Sequence, residues 1–223
     1  MIDVYAEAIK PVREQKRKPI DSDMLTFAKN ILLEKWFPEI GFDRSVVTEQ
    51  NLDILAAWIA AYSINRNNPD LVDRPRQCLM FCGKCGRGKT MLAKYLHKKL
   101  LLPFWTSDEL DKLAVDEENV KYYTLRTIYG GESDLVIDDI GAETLRTRYG
   151  NAPEFPQMLL RLYDSWKYHG KLIIATTNYS LSKAGLEDFA QRYGERVADR
   201  IAEMFMGVNL AGNVNFRRLQ TTR

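Results

Sequence analysis

The stretch CLMFCGKCGRGKT, residues 78–90, carries two overlapping motifs that predict different chemistry. Its three cysteines have the spacing C-x3-C-x2-C, which resembles the cysteine pattern of an iron–sulfur site. Its second half, Gly83 to Thr90, reads G-x-x-x-x-G-K-T, the pattern of a phosphate-binding loop. The two motifs require different local structures, so the segments on either side decide which motif is real. That choice also decides which fold the sequence predicts.

A phosphate-binding loop needs a strand before it and a helix after it. The strand delivers the loop, and the amino terminus of the helix adds positive potential. Both are expected here, because CLMFC is a continuous apolar run and MLAKYLHKKLLL continues with a helical pattern. Lys89 then reaches the β- and γ-phosphates, and the Thr90 hydroxyl binds Mg²⁺. The sequence therefore predicts ATP and Mg²⁺ as ligands, with the nucleotide held by Gly83, Gly86, Gly88, Lys89, Thr90 and Met91.

The cluster interpretation needs three cysteines that converge on one side of a loop. Cys78 lies instead inside the predicted strand, and Cys82 lies on the same strand face, roughly 13 Å away at ~3.3 Å per residue. That separation is too large for neighbouring ligands of one cluster. We therefore expect Cys78 and Cys82 to be core residues and Cys85 to belong to the phosphate loop.

Composition limits the class of protein. A chain of 223 residues has room for one domain and a small appendage. Its formal net charge of +2 is close to balance, so any DNA binding requires a local basic patch. No apolar run approaches the ~18 residues of a membrane span. Three cysteines argue against a disulfide framework, so we expect a cytoplasmic protein that does not contact a membrane.

Residues 1–72 are expected to form a helical region. Asp21 or Ser22 can cap a first helix that ends before Pro38, and a second helix follows Thr48. A basic arm precedes both helices, and we expect it to be solvated. The polar, proline-containing run at residues 65–76 is typical of a linker, which places the domain boundary near residue 72.

Residues 73–223 alternate between short apolar strands and helices, which predicts a three-layer α/β/α domain with a mainly parallel sheet. Thr106 and Glu109 form a capping box at the start of one of the helices. The predicted strands are Gln77–Cys82, Leu101–Thr106, Leu135–Ile140 and Lys171–Thr177. The other predicted helices are Lys89–Leu102, Phe155–His169 and Glu195–Phe205.

Two further strands end in polar side chains at the edge where ligands of parallel sheets bind. In LVIDDIGAE, an apolar run is followed by two acids. Asp138 would hold Mg²⁺, and Asp139 would orient or deprotonate the attacking water. IIATTN ends in Asn178, which could position that water. Taken alone, these residues would be interpreted as solvated acids at a strand end and a turn asparagine. The phosphate loop that contains Lys89 favours the functional interpretation instead.

Arg196 and Arg200 lie four residues apart, on one face of the last predicted helix. Each has an acidic residue three positions later, so both could be members of surface ion pairs. They could also reach the ATP of a neighbouring subunit as arginine fingers. Spacing alone leaves the two interpretations open.

The motifs GKCGRGKT, LVIDDIGAE, IIATTNYS and RYGERVADRI, in that order, resemble the AAA+ ATPases of the DnaC helicase-loader and IstB transposition-helper group. The resemblance covers roughly Gln77 to Phe216. It implies a P-loop AAA+ ATPase that assembles on single-stranded DNA, recruits a replicative helicase and associates with itself through a shared ATP site. By the same analogy, residues 1–72 grip the helicase.

The resemblance also implies a role for each motif residue. Lys89 and Thr90 belong to the first motif, Asp138 and Asp139 to the second. Asn178 is the first sensor, and Arg200 is the arginine finger, with Arg196 beside it. Two features depart from the pattern of many AAA+ enzymes. Asp139 stands where many of them have glutamate, although this group often has aspartate there, and no sizeable lid domain is expected, which resembles this group. Without a lid domain, Arg217 or Arg218 is the candidate for the second sensor.

The resemblance places a helical insertion near Ser107–Gly131, where it would line a pore for single-stranded DNA. Lys121, Tyr122, Tyr123 and Arg126 combine base stacking with phosphate binding there. The same residues also fit an amphipathic helix with Tyr123 and Ile128 in the core. Other functions stay open as well: a transposition helper on duplex DNA, a nucleotide-dependent binding switch with little hydrolysis, or a small-molecule P-loop kinase.

Overall fold

The structure is a computed structural model, and it describes residues 19–115, 128, 133–147, 152–212 and 214–216. Its centre is a five-stranded sheet in the order β2-β3-β4-β1-β5, in which all neighbouring strands are parallel. The strands are β1 (Cys78–Cys82), β2 (Phe104–Thr106), β3 (Leu135–Ile140), β4 (Ile173–Thr177) and β5 (Phe205–Asn209). The predicted fold class, a parallel sheet between helical layers, is confirmed.

Seven longer helices accompany the sheet among the described residues. They are α1 (Ser22–Asn30), α2 (Glu49–Asn67), α3 (Lys89–Leu100), α4 (Ser107–Val115), α5 (Glu154–His169), α6 (Lys183–Tyr193) and α7 (Glu195–Met204). Right-handed crossovers place α3 on one face of the sheet and α4 to α7 on the other. Every residue of β1 and β4 is buried, as a sheet covered on both faces requires.

Local signals set the helix ends. The Asp21 carboxylate accepts hydrogen bonds from the first turn of α1, and the Thr48 hydroxyl accepts one from the Asn51 N–H of α2. Thr106 and Glu109 form the predicted reciprocal capping box of α4. At the other end of a helix, Gly170 closes α5 with a left-handed backbone.

The two amino-terminal helices pack against the rest of the fold and share its apolar core. The Asn51 side chain of α2 donates to the Asn209 carbonyl of β5, and the Trp58 indole N–H donates to the Gln77 carbonyl. On α3, the Tyr95 hydroxyl donates to the Glu39 carboxylate of the amino-terminal region. A domain boundary near residue 72 stays a prediction.

The first helix does not end before Pro38. A π-helical turn (Ile31–Trp36) and one α-helical turn (Phe37–Glu39) continue it without a break. In the π turn, the Phe37 N–H bonds to the carbonyl five residues back rather than four. Pro38 has no N–H to donate to the preceding turn, and the helix ends one residue later, at Glu39.

Two elements were not predicted. β5 has a glycine at its centre and is only partly buried, and its sequence FMGVN lacks the continuous apolar run of the other strands. It begins at Phe205, which was assigned to the last helix. α6 is mostly polar and has a low apolar content, although Ser182 caps it. The predicted linker also starts late, because α2 runs to Asn67.

Within the described residues, no helix has both the length and the apolar content needed to cross a membrane.

Candidate nucleotide-binding site

The carboxyl ends of β1, β3 and β4 open onto a cavity of about 490 Å³. This volume falls in the range of small-ligand sites. The loop between β1 and α3 forms its floor. The lining residues are Ile40, residues 85–91, Lys94, Tyr95, Lys98, Asp138, Asp139, Asn178 and Phe216. Of the predicted nucleotide ligands, all but Gly83 line the cavity.

The loop after β1 has the conformation that a phosphate cradle needs. Gly86 and Gly88 have positive φ angles of 81° and 85°. A Cβ at Gly88 would lie 2.7 Å from the ring of Phe42, so a side chain does not fit there. No side chain caps the amino end of α3 among the described residues, so its first amide groups are available to an anion.

The Lys89 ammonium group is held at the loop, in the position expected of the phosphate-binding lysine. It donates to the carbonyls of Gly83 at 2.7 Å and Lys84 at 3.1 Å, and to Asn178 Oδ1 at 2.9 Å. Burial lowers the pKa of Lys89, and the nearby Asp139 carboxylate opposes that shift. A bound phosphate would further favour the charged form.

Thr90 and Asp138 lie together, as the predicted metal site requires. The Thr90 hydroxyl donates to Asp138 Oδ1 at 3.0 Å. Asp138 is 5% exposed, and its Oδ1 also accepts a hydrogen bond of 2.7 Å from the buried Thr176 hydroxyl. The hydroxyl and carboxylate oxygens are hard ligands of the kind that Mg²⁺ prefers.

Asp139 has a left-handed backbone, with φ of 59°. Such angles are rare outside glycine, and aspartate is among the residues that tolerate them. The register between β3 and β4 shifts between Ile137 and Ile140, which is where the strand bulges. Thr176 supports the turn by accepting a 2.8 Å hydrogen bond from the Asp139 N–H. The bulge turns this second acid onto the cavity wall.

The chemistry of these residues fits a magnesium nucleotide. The uncapped helix end and Lys89 suit phosphate oxygens, while Thr90 and Asp138 suit the metal. Asn178 Oδ1 contacts Lys89 in this structure and also accepts a 3.5 Å contact from the Cys85 thiol. The cysteines lie where they were predicted: Cys78 and Cys82 are buried in β1, and Cys85 is exposed in the loop.

The two candidate arginine fingers lie on α7, outside the lining of the cavity in their own chain. The Arg200 guanidinium stacks over the Tyr163 ring at 4.9 Å and lies 3.7 Å from Glu203. Arg196 is exposed, and it forms no ion pair or ring contact with any residue in the described ranges. The predicted Arg200–Glu203 pair is present.

The predicted DNA-contacting residues Lys121, Tyr122, Tyr123 and Arg126 lie outside the described residues, as do Arg217 and Arg218. Ile128, at the end of the same predicted helix, is fully buried.

Several residues of the site were not predicted. The Thr176 hydroxyl bonds to both the Asp138 carboxylate and the Asp139 N–H. Its signal in the sequence is its place as the first polar residue of TTN, after the apolar part of the strand. The cavity wall also includes Ile40 from the amino-terminal region, Tyr95 from α3 and Phe216 from the segment after β5. No local motif marks these three residues, because only the folded chain brings them together.

A scan against protein-family models and a search of the curated proteins find no match. Solved structures do match. The chain is similar to the DnaC helicase loader. The sequence identity is 24% and the TM-score 0.49, over 74% of this chain and 93% of that one. The DnaC group that the motifs predicted is thus among the structures to which the chain is similar.

Two other solved structures are similar as well. One is a candidate primosome component from Streptococcus pyogenes serotype M3, with 20% identity and a TM-score of 0.45 over 78% of this chain and 88% of that one. The other is AMPPCP-bound DnaA from Aquifex aeolicus, with 19% identity and a TM-score of 0.48 over 77% of this chain and 50% of that one.

Proposed function

We propose that the protein is an ATPase of the helicase-loader type, which assembles on single-stranded DNA and recruits a replicative helicase. The observation that carries the nucleotide part is the convergence of Lys89, Thr90, Asp138, Asp139 and Asn178 on one cavity. The order of the motifs, which resembles the DnaC group, supports the loader part.

In this proposal, each residue acts on ATP through the group it presents to the cavity. The loop amides and Lys89 hold the β- and γ-phosphates, and Thr90 with Asp138 holds Mg²⁺. Mg²⁺, when bound, neutralises charge that develops on the phosphate oxygens. Asp139 orients or deprotonates the attacking water, and Asn178 releases Lys89 to the phosphates and positions that water. Aspartate is one methylene shorter than glutamate, so we expect slow turnover.

The second part of the proposal is a site shared between subunits. Arg196 or Arg200 of one copy reaches the γ-phosphate held by another copy. The exposure of Arg196 supports this. The half-exposed ion pair of Arg200 is worth little and does not prevent its release. An arginine finger contributes on the order of 10³–10⁵ in rate.

The experiment measures ATP turnover per subunit against protein concentration, with single-stranded DNA, duplex DNA or none. Wild type is compared with Arg196→Ala and Arg200→Ala. We expect turnover to rise with concentration and with single-stranded DNA, and to collapse in one arginine variant that still binds ATP. A turnover that is independent of concentration, DNA and both arginines would contradict the shared site.

Two alternatives give different results in the same experiment. A transposition helper would respond to duplex DNA rather than to single strands. A nucleotide-dependent binding switch would bind ATP and hydrolyse almost none. The short side chain of Asp139 is the feature that favours this alternative. Recruitment of the partner is tested separately, by co-purification of a replicative helicase with the ATP-bound full chain, and its absence would contradict the loader part of the proposal.

A further inference from the structure

Glu143 is a buried charge outside the lining of the nucleotide cavity. It lies three residues beyond β3 and is 3% exposed. Its carboxylate accepts hydrogen bonds from the Gly141 N–H at 3.0 Å, from Arg192 Nε at 2.8 Å and from the Tyr193 hydroxyl at 2.6 Å. Arg192 also donates to the Glu143 carbonyl. A buried carboxylate costs free energy unless its oxygens are paired in this way.

The backbone that Glu143 holds is the turn that carries Asp139. The Ala142 N–H donates to the Asp139 carbonyl at 3.0 Å, which closes the turn. Gly141 lies inside it, with a φ of 106° and its N–H directed to Glu143. The turn is therefore fixed at one end by Thr176 and at the other by Glu143.

The partners of Glu143 lie at the junction of α6 and α7. Arg192 and Tyr193 are the last two residues of α6. Gly194 follows with a φ of 91°, and α7 begins immediately with Arg196 in its first turn. One carboxylate thus joins the turn of Asp139 to the start of the helix that carries both candidate arginine fingers.

We propose that Glu143 is a positioning residue that holds Asp139 and the α6–α7 junction in a fixed relation. The inference rests on the proposed ATPase function. Glu143 does not touch the phosphate loop, so ATP binding should not need it. Turnover should, because a small displacement of Asp139 changes the geometry of the reacting groups.

Asp134 provides a matched control at the opposite end of β3. Its carboxylate also has an arginine, a tyrosine hydroxyl and a backbone amide as partners. Tyr62 donates at 2.9 Å and the Leu172 N–H at 2.7 Å, and Arg74 forms an ion pair with it. Removal of this charge disturbs the same kind of network, far from the cavity.

The test compares Glu143→Gln with Asp134→Asn. Glutamine keeps the shape of glutamate, but it has one acceptor oxygen instead of two. Its NH₂ group therefore opposes an N–H or O–H donor, and the network stays incomplete. We expect Glu143→Gln to lower kcat on the order of 10-fold or more while the Kd for ATP changes less than about 2-fold. Hydrogen exchange should accelerate both in residues 139–143 and in residues 192–196. Asp134→Asn should do neither, even with a comparable fall in Tm.

The outcomes separate the two proposals. If wild type neither binds nor hydrolyses ATP, the proposed function fails and this inference fails with it. If wild type hydrolyses ATP and Glu143→Gln has the kcat of Asp134→Asn, only the inference is overturned. Tyr193→Phe removes a single hydroxyl donor and keeps the ring, so it serves if Glu143→Gln does not fold. Its kcat should fall with an unchanged Kd, and an unchanged kcat would overturn the inference.

Discussion

At the scale of single residues, the site contains groups whose burial or backbone conformation costs free energy of folding. Lys89 is a cation with 5% exposure, and Asp139 has an unusual backbone angle. Both costs arise at positions that touch the cavity rather than in the supporting core. Strain and buried charge of this kind concentrate at functional sites, because the surrounding fold must supply the compensation.

Lys89→Met should separate binding from stability. The variant loses charge-assisted hydrogen bonds to phosphate, worth about 1.5–3 kcal/mol each, so ATP affinity should fall on the order of 100-fold. The free energy of unfolding without ATP should fall by no more than about 1 kcal/mol, because relief of a desolvated charge offsets the lost contacts. Calorimetric titration and urea unfolding measure the two quantities. A variant that binds ATP normally would contradict the assignment of Lys89.

Thr176→Val should lower turnover, because one hydroxyl joins Asp138 to the backbone of Asp139. Valine keeps the shape but removes the acceptor of the Asp139 N–H and one of the two hydrogen bonds to Asp138 Oδ1, at a cost of about 1–3 kcal/mol. We expect kcat to fall on the order of 10-fold. Thr177→Val is the matched control, since its hydroxyl is equally buried but bonds to the Ile140 carbonyl. Equal turnover in the two variants would show that Thr176 only stabilises the fold.

At the scale of elements, the strands whose carboxyl ends open onto the cavity were the most predictable part of the chain. β3 was predicted with its observed ends, and β1 and α3 to within two residues. Each is a continuous apolar run or a helix with a clear start, and burial on both faces of the sheet requires that pattern. β5 could not be predicted, because it is stabilised by pairing with β1 and by contact with α2 rather than by its own sequence.

The bulge in β3 shows a second limit of prediction. The sequence LVIDD indicates that two acids follow the strand, but it does not indicate which way each side chain points. The left-handed angle at Asp139 depends on the hydroxyl of Thr176, one strand away. Likewise, the partners of Glu143 come from α6, which the sequence did not predict. Residue types were predictable, and contacts between distant elements were not.

The buried Lys171, two residues before β4, leads to a prediction about how stability depends on pH. Lys171 is 1% exposed, and burial lowers the pKa of its ammonium to about 8, against 10.5 for a free lysine. Between these values the unfolded chain holds a proton that the folded chain has released, so this lysine makes stability rise with pH. The free energy of unfolding of wild type should therefore rise relative to that of Lys171→Met between about pH 8 and about pH 10.5.

Urea unfolding at several pH values measures this difference. Lys183→Met, which removes an exposed lysine, is the control. A constant difference for Lys171→Met would contradict the prediction.

At the scale of the whole molecule, both ends of the described chain close on the phosphate loop. The rings of Phe42 and Phe216 stack with centroids 5.3 Å apart. The Phe216 N–H donates to the Gly86 carbonyl, and Arg87 donates to the Val214 carbonyl. The helical amino-terminal region therefore lines the nucleotide cavity with Ile40 and packs against Gly88 of the loop with Phe42.

Phe216→Ala should weaken ATP binding as well as the fold. Loss of a buried ring costs about 3 kcal/mol or more, and the loop loses the ring that packs against Gly88. We expect a lower Tm without ATP and a smaller rise in Tm when ATP is added. Phe27→Ala is the control, because Phe27 is 68% exposed on α1. If ATP raises the Tm of Phe216→Ala as much as that of wild type, Phe216 does not belong to the site.

The measurement that tests the central claim most directly is ATP hydrolysis by Asp139→Asn beside wild type, with ATP binding measured on the same samples. Asparagine keeps the size and the left-handed backbone preference of aspartate and removes only the charge. We predict that wild type hydrolyses ATP. The variant should bind it with similar affinity and turn it over on the order of 10²–10⁴-fold more slowly. Turnover in the variant equal to that of wild type would contradict the assignment of this cavity as the site of hydrolysis.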